Sequence, residues 1–112
     1  MTSTPTFTIS FHGLPASQTI TEEARSRTED LQRQCPRLQR VDVLLQADER
    51  HHRTGRRYDV RLHAHIPGHT FEVTRHPPQP EHGDAHVALH DAFKALRRQI
   101  HDYTEKRRDA RR

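Results

Sequence analysis

The run RRYDVRLHAHI, from Arg56 to Ile66, alternates without a break: Tyr58, Val60, Leu62, Ala64 and Ile66 stand against Arg57, Asp59, Arg61, His63 and His65. Successive side chains of a strand point to opposite faces, so this segment predicts a strand with one apolar and one polar face. A sheet containing it is one-sided, and its apolar face needs a cover. TFTISFH (Phe7, Ile9, Phe11), RVDVLLQA (Val41, Val43, Leu45) and HTFEVTR (Phe71, Val73) repeat the pattern, which makes four strands. With 30% hydrophobic and 5% aromatic residues in a chain of 112, there is material for one thin core and little for a deep substrate pocket.

The cover has two sources. After GLPAS breaks the first strand, Thr19 to Glu22 has the spacing of a capping box, and a helix is predicted over Ile20–Gln34, ended by Pro36. Its apolar stripe (Ile20, Ala24, Leu31, Cys35) is weak and is interrupted by Arg27 and Thr28, so it needs docking to persist. The second helix is better specified: Asp84 is a good N-cap, and Leu89, Ala92, Phe93, Leu96, Ile100 and Tyr103 recur at helical spacing. DERHHRTGRR reads as a hairpin loop, PG at Pro67 and Gly68 as a turn, and HPPQPEHGD as an exposed connector. The predicted fold is α+β, in the order β-α-β-β-β-α. It has a four-stranded mixed sheet with both helices packed on one face, because a helical crossover is followed by two hairpin-like connections. One domain is expected over residues 1–112, with residues 1–5 frayed and 105–112 forming a basic tail.

Charge is distributed unevenly. From Lys94 to the end there are eight basic and three acidic residues, whereas the preceding 93 residues carry eleven bases and twelve acids. On the last helix, His86, His90, Lys94, Arg97, His101 and Arg108 fall along one flank, with Arg98 further round toward solvent. A cluster of Arg suits phosphate oxygens better than it suits mere solvation. Arg50, Arg53, Arg56 and Arg57, continued by Arg61, form a second basic concentration. Two such regions on one small domain point to a large polyanion.

Other chemistries have less support. The single cysteine, Cys35, permits no internal disulfide, fits a reducing cytosol, and reads as a packing residue. There is no Gly-rich phosphate loop, nucleophile elbow or isolated acidic pair, so an enzyme is not expected and no cofactor is implied. Among the eleven histidines, His63 with His65 and His86 with His90 have spacings that suit a metal, yet neither pair has a third ligand nearby in sequence. Tunable charge beside phosphate is the better-supported role. Exposed aromatics that stack bases are not expected, since Phe7, Phe11, Tyr58 and Phe71 share the inward register. Met1 to Leu14 lacks the pattern of a signal peptide and no segment has the length of a membrane span, which predicts a soluble cytoplasmic protein.

The element order, and above all DAHVALHDAFKALRRQI, resembles the ribosome hibernation-promoting factor and ribosome-associated inhibitor family, also called ribosomal subunit interface or sigma-54 modulation proteins. Asp84, Ala88, Leu89, Leu96, Arg98, Gln99 and Ile100 occupy that family's final-helix pattern, and Lys106 and the closing ARR match its basic end. His86 replaces the usual Tyr, and Ala95 and Asp102 stand where Lys is common. The resemblance implies a non-enzymatic factor of stressed or stationary-phase bacteria. Such a factor binds the small ribosomal subunit and its rRNA, overlaps the mRNA and tRNA paths, and here has the short form. It is expected to be a monomer off the ribosome, touching neither membrane nor small-molecule substrate. Lys94, Arg97, Arg98, Lys106, Arg107 and Arg108 are the expected rRNA contacts, Arg56, Arg57 and Arg61 a secondary set, and Arg33 a further member at a commonly basic family position. A His-rich metal-binding domain and a basic protein-interaction module are the alternatives.

Overall fold

Six elements follow the predicted order: β1 (Thr6–His12), α1 (Gln18–Gln34), β2 (Arg40–Asp48), β3 (Arg57–Ile66), β4 (His69–Arg75) and α2 (Ala85–Ala110). They belong to a computed structural model that describes residues 4–48, 57–75 and 85–110. The hairpin loop after Asp48, the Pro-rich connector and the Asp84 cap lie outside the described residues. The sheet runs β1-β2-β3-β4 in space. β1 is parallel to β2 across the α1 crossover, and the other neighbours are antiparallel.

Register explains the one-sidedness. Phe7, Val41, Ala64 and Phe71 form one cross-strand row, and Ile9, Val43, Leu62 and Val73 form the next. All eight point toward the helices. The β2, β3 and β4 members are buried, while Phe7 and Ile9 on the edge strand are half-buried. Ile20, Ala24 and Leu31 of α1 and Ala88, Leu89, Ala92, Phe93, Leu96 and Ile100 of α2 close over them. Among the described residues no helix is long and apolar enough to cross a membrane.

Two details of α1 differ from the sequence reading. Its N-cap is Ser17, not Thr19: the Ser17 backbone is extended and its Oγ accepts from the Ile20 amide at 3.2 Å. The helix therefore starts two residues early, with Thr19 inside its first turn. Ser17 sits three residues before the first buried side chain, which lets its hydroxyl meet the third helical amide while Ile20 enters the core. Thr28 does not interrupt the stripe either. It is 1% exposed, and its hydroxyl donates to the Ala24 carbonyl at 2.9 Å, so the polar atom is satisfied within the helix while its methyl packs.

The PG turn adopts the backbone it needs, with Gly68 at φ +82°, as the third residue of a type II turn requires. Gly13, which ends β1, is more constrained: φ is +77°, and a Cβ there would lie 2.6 Å from the Ala47 carbonyl oxygen. That close approach brings the end of β1 against β2.

The solvent face of the sheet is organised around Asp42. Thr8 Oγ1 donates to Asp42 Oδ1 at 2.6 Å, Arg40 Nε donates to both carboxylate oxygens at 2.9 and 3.0 Å, and His65 Nε2 lies 3.6 Å away. Partial burial pushes the Asp42 carboxyl up. The hydrogen bonds from Arg40 and Thr8, with the charges of Arg40 and His65, outweigh this and hold it below the ordinary carboxylate value.

Three outcomes follow. Leu96→Ala, at a site with no solvent exposure, should destabilise the fold by about 2–5 kcal/mol in denaturant unfolding. Gly13→Ala should lower the unfolding midpoint although its site is exposed, because both the positive φ and the Ala47 carbonyl oppose a Cβ. Asp42 binds a proton more readily unfolded than folded, so its contribution is present above the unfolded carboxylate value and lost as pH falls through the folded one. Asp42→Asn should therefore flatten the stability profile below about pH 4 and leave its slope near neutrality unchanged.

Candidate nucleic-acid interface

With 26 residues, α2 is about 39 Å long at 1.5 Å per residue. Its apolar stripe ends at Tyr103, the last side chain packed against the core. Beyond it, every residue from Lys106 to Ala110 is exposed. The end of the helix therefore projects past the sheet and contributes to a longest dimension of 54 Å.

The core fixes which way the charges face. With Leu89, Phe93, Leu96 and Ile100 buried, His86, His90, Lys94 and Arg97 are turned toward α1. His86 Nδ1 lies 3.2 Å from Glu23 Oε1, which also lies 3.8 Å from Arg27 Nη2. Further along, His90, Lys94 and Arg97 line a groove with Arg27, Asp30 and Gln34, floored by Leu31 and Phe93. His101 and Arg108 continue the same flank at helical spacing. Among the described residues, Lys94, Arg97, Arg98 and Lys106 form no ion pair, so their charges are available to an external anion.

The other expected contacts differ in their surroundings. Arg98 is exposed and lines a surface with Lys94, Arg97 and His101, which also takes in Asp91, Asp102 and Arg75 of β4. Because α2 continues to Ala110, Lys106, Arg107 and Arg108 are helical residues, turned about 100° apart in succession. They surround the projecting end instead of forming a patch. Arg107 donates to the Tyr103 hydroxyl at 3.0 Å, and Arg108 lies 3.9 Å from Glu105. Arg33 is exposed at the end of α1, 2.8 Å from Asp30, in a solvated pair that holds it weakly.

Of the secondary set, Arg61 does not join this flank. Arg61 is exposed on the solvent face of the sheet, across from Leu44 and Thr74 and away from both helices. Arg57 is the first residue of β3, in register with Asp48, and Arg56 lies outside the described residues. Arg27 and Arg75 were missed in the sequence because each sits at the border of an apolar pattern. The i, i+4 spacing of Glu23 and Arg27 was the available signal for the first.

The histidine pairs are also separated. His63 and His65 share the solvent face of β3, where His65 Nδ1 lies 3.2 Å from Thr70 Oγ1, while His86 and His90 belong to α2. Among the described residues no three His, Cys, Asp or Glu side chains form a group that could hold a metal. Phe7, Phe11, Tyr58 and Phe71 all point inward as expected, half-buried or buried.

Comparison with known proteins agrees with this architecture. The chain is similar to a ribosomal subunit interface protein from Coxiella burnetii, with a TM-score of 0.66 and 14% identity over 88% of this chain and 98% of the other. It is similar also to the N-terminal domain of Protein Y from Thermus thermophilus, with a TM-score of 0.69 and 16% identity over 90% of this chain and 99% of the other. At those identities the likeness establishes the fold. No curated protein matches the chain in sequence. The model of one family, described as sigma 54 modulation protein / S30EA ribosomal protein, matches residues 7–108. With β1 through nearly all of α2 inside that match, the chain belongs to the sigma 54 modulation / S30EA ribosomal protein family.

Proposed function

We propose that this chain is a hibernation factor that binds the small ribosomal subunit through rRNA phosphates and blocks translation by occluding the mRNA and tRNA paths during stress or stationary phase. Family membership makes it a ribosome-associated protein. The finer reading rests on one observation: Lys94 and Arg97 are exposed, without ion pairs among the described residues, and held in place by buried neighbours on the same helix. Cations presented on a rigid element bind phosphate without first leaving an internal partner. Arg98, Lys106, Arg107, Arg108 and Arg33 extend the contact around the projecting end of α2 and along α1. Arg61 acts as a separate anchor on the solvent face of the sheet, and Arg56 and Arg57 supply further phosphate contacts. Occlusion needs bulk and charge and no chemical step, so the factor acts in the cytoplasm without cofactor, as a monomer until it meets the ribosome.

Cell lysate sedimented through a sucrose gradient tests this directly: the chain should co-migrate with small subunits or whole ribosomes, and migration at the top of the gradient would refute it. Binding should also weaken steeply with salt, by roughly four to six decades in affinity per decade of salt if about six phosphates are neutralised. The double variant Lys94→Gln/Arg97→Gln should lower that slope by about two, because each phosphate contact contributes close to one. A slope unchanged in the variant would exclude these two residues from the interface.

A further inference from the structure

At the point where α2 leaves the sheet, four side chains form a layered cluster. The His69 imidazole stacks on the Tyr103 ring with centroids 4.3 Å apart and planes within 18° of parallel. Phe71 meets both rings edge-on, at 4.6 Å from His69 and 5.4 Å from Tyr103. On the helix side, the Arg107 guanidinium lies over Tyr103 at 5.6 Å while also donating to its hydroxyl. The three ring distances form a near-equal triangle, which puts Phe71 beside the edge of the imidazole and not across its second face. His69 is exposed, so that second face is open to solvent.

We infer that His69 is a stacking site for an unpaired nucleobase, with Tyr103 as the second layer and Arg107 and Lys106, the cations nearest Tyr103 around the helix, positioned for the flanking phosphates. Every base has a π-face, and an exposed aromatic ring beside cations is the arrangement by which proteins hold single-stranded nucleic acid without reading its sequence. Anchoring the helix explains Tyr103 on Phe71, since both rings bury apolar surface. It does not call for an exposed heteroaromatic ring as the outer layer, on a tyrosine whose hydroxyl and face are held by Arg107. The site gives the domain a contact that charge and shape alone do not provide, and it deepens the reading of the chain as an rRNA binder, on which it rests.

The test uses the full chain and two probes, a uridine decamer and an inorganic polyphosphate of similar charge. The sequence contains two tyrosines and no tryptophan, so in a Tyr58→Phe background emission comes from Tyr103 alone and reports binding at the stack. His69→Leu keeps an apolar side chain over Tyr103 but removes the π-face, and His69→Phe keeps both. His69→Leu should weaken decamer binding by about 5- to 150-fold, the range found for loss of one base-stacking ring, with polyphosphate binding unchanged, and His69→Phe should bind the decamer like the parent. Decamer binding by His69→Leu within about twofold of the parent, an equal loss for both probes, or a decamer that the parent binds no better than polyphosphate would each overturn the inference. The gradient experiment separates the two readings. A chain that fails to co-sediment with ribosomes sinks the proposed function, while the decamer comparison still decides the stacking site.

Discussion

The contact between the apolar stripe of α2 and the inward face of β3 and β4 is the constraint on which the rest depends. Leu89, Leu96 and Ala92 have no solvent exposure, nor do Val60, Leu62 and Ala64 beneath them. A helix docked along so narrow a stripe cannot rotate without lifting Leu89, Phe93, Leu96 and Ile100 out of the core, and each buried Leu or Phe is worth about 1.5–3 kcal/mol. Fixing that rotation fixes the direction of every charge on the helix. Lys94 and Arg97 face the α1 groove because Phe93 and Leu96 face inward.

The same one-sidedness sorts the electrostatics into two layers. On the sheet's solvent face, Arg40 is bound to Asp42, which also takes a hydrogen bond from Thr8 and lies near His65, so much of that charge is spent internally. On the helix layer the acids are arranged differently. Glu23 meets Arg27 and His86 near the start of the groove, Asp30 meets Arg33 at its outer edge, and Lys94 and Arg97 are left without an ion pair among the described residues. An anion approaching from the helix side thus meets cations that need no prior separation from a carboxylate among the described residues.

Much of the fold was legible because period-two and helical alternations are local, and each strand displays its own. β1 and β4 have the predicted bounds, and β2 and β3 differ from them by one residue. What was not legible involved polar groups whose role depends on a neighbour. Thr28 looked like a gap in a stripe because its sequence does not show that its hydroxyl is satisfied by the carbonyl four residues earlier. Thr19 has the spacing of a cap in the sequence, but the position of Ile20 in the core puts the cap at Ser17. Of the second basic region read from the sequence, strand alternation sent Arg61 to the sheet face opposite α2, away from Lys94 and Arg97.

The sequence by itself determined a one-sided four-stranded sheet, two covering helices and an excess of positive charge near the end of the last helix, because periodicity and composition are properties of consecutive residues. Only the tertiary structure decided which of those charges act together. His90, Lys94 and Arg97 share a groove with Arg27, Asp30 and Gln34, residues separated from them by more than fifty positions in the chain. Likewise His69 meets Tyr103 only because β4 begins where α2 runs off the sheet. Such juxtapositions are set by which elements pack side by side, and no local pattern in the chain encodes that distance.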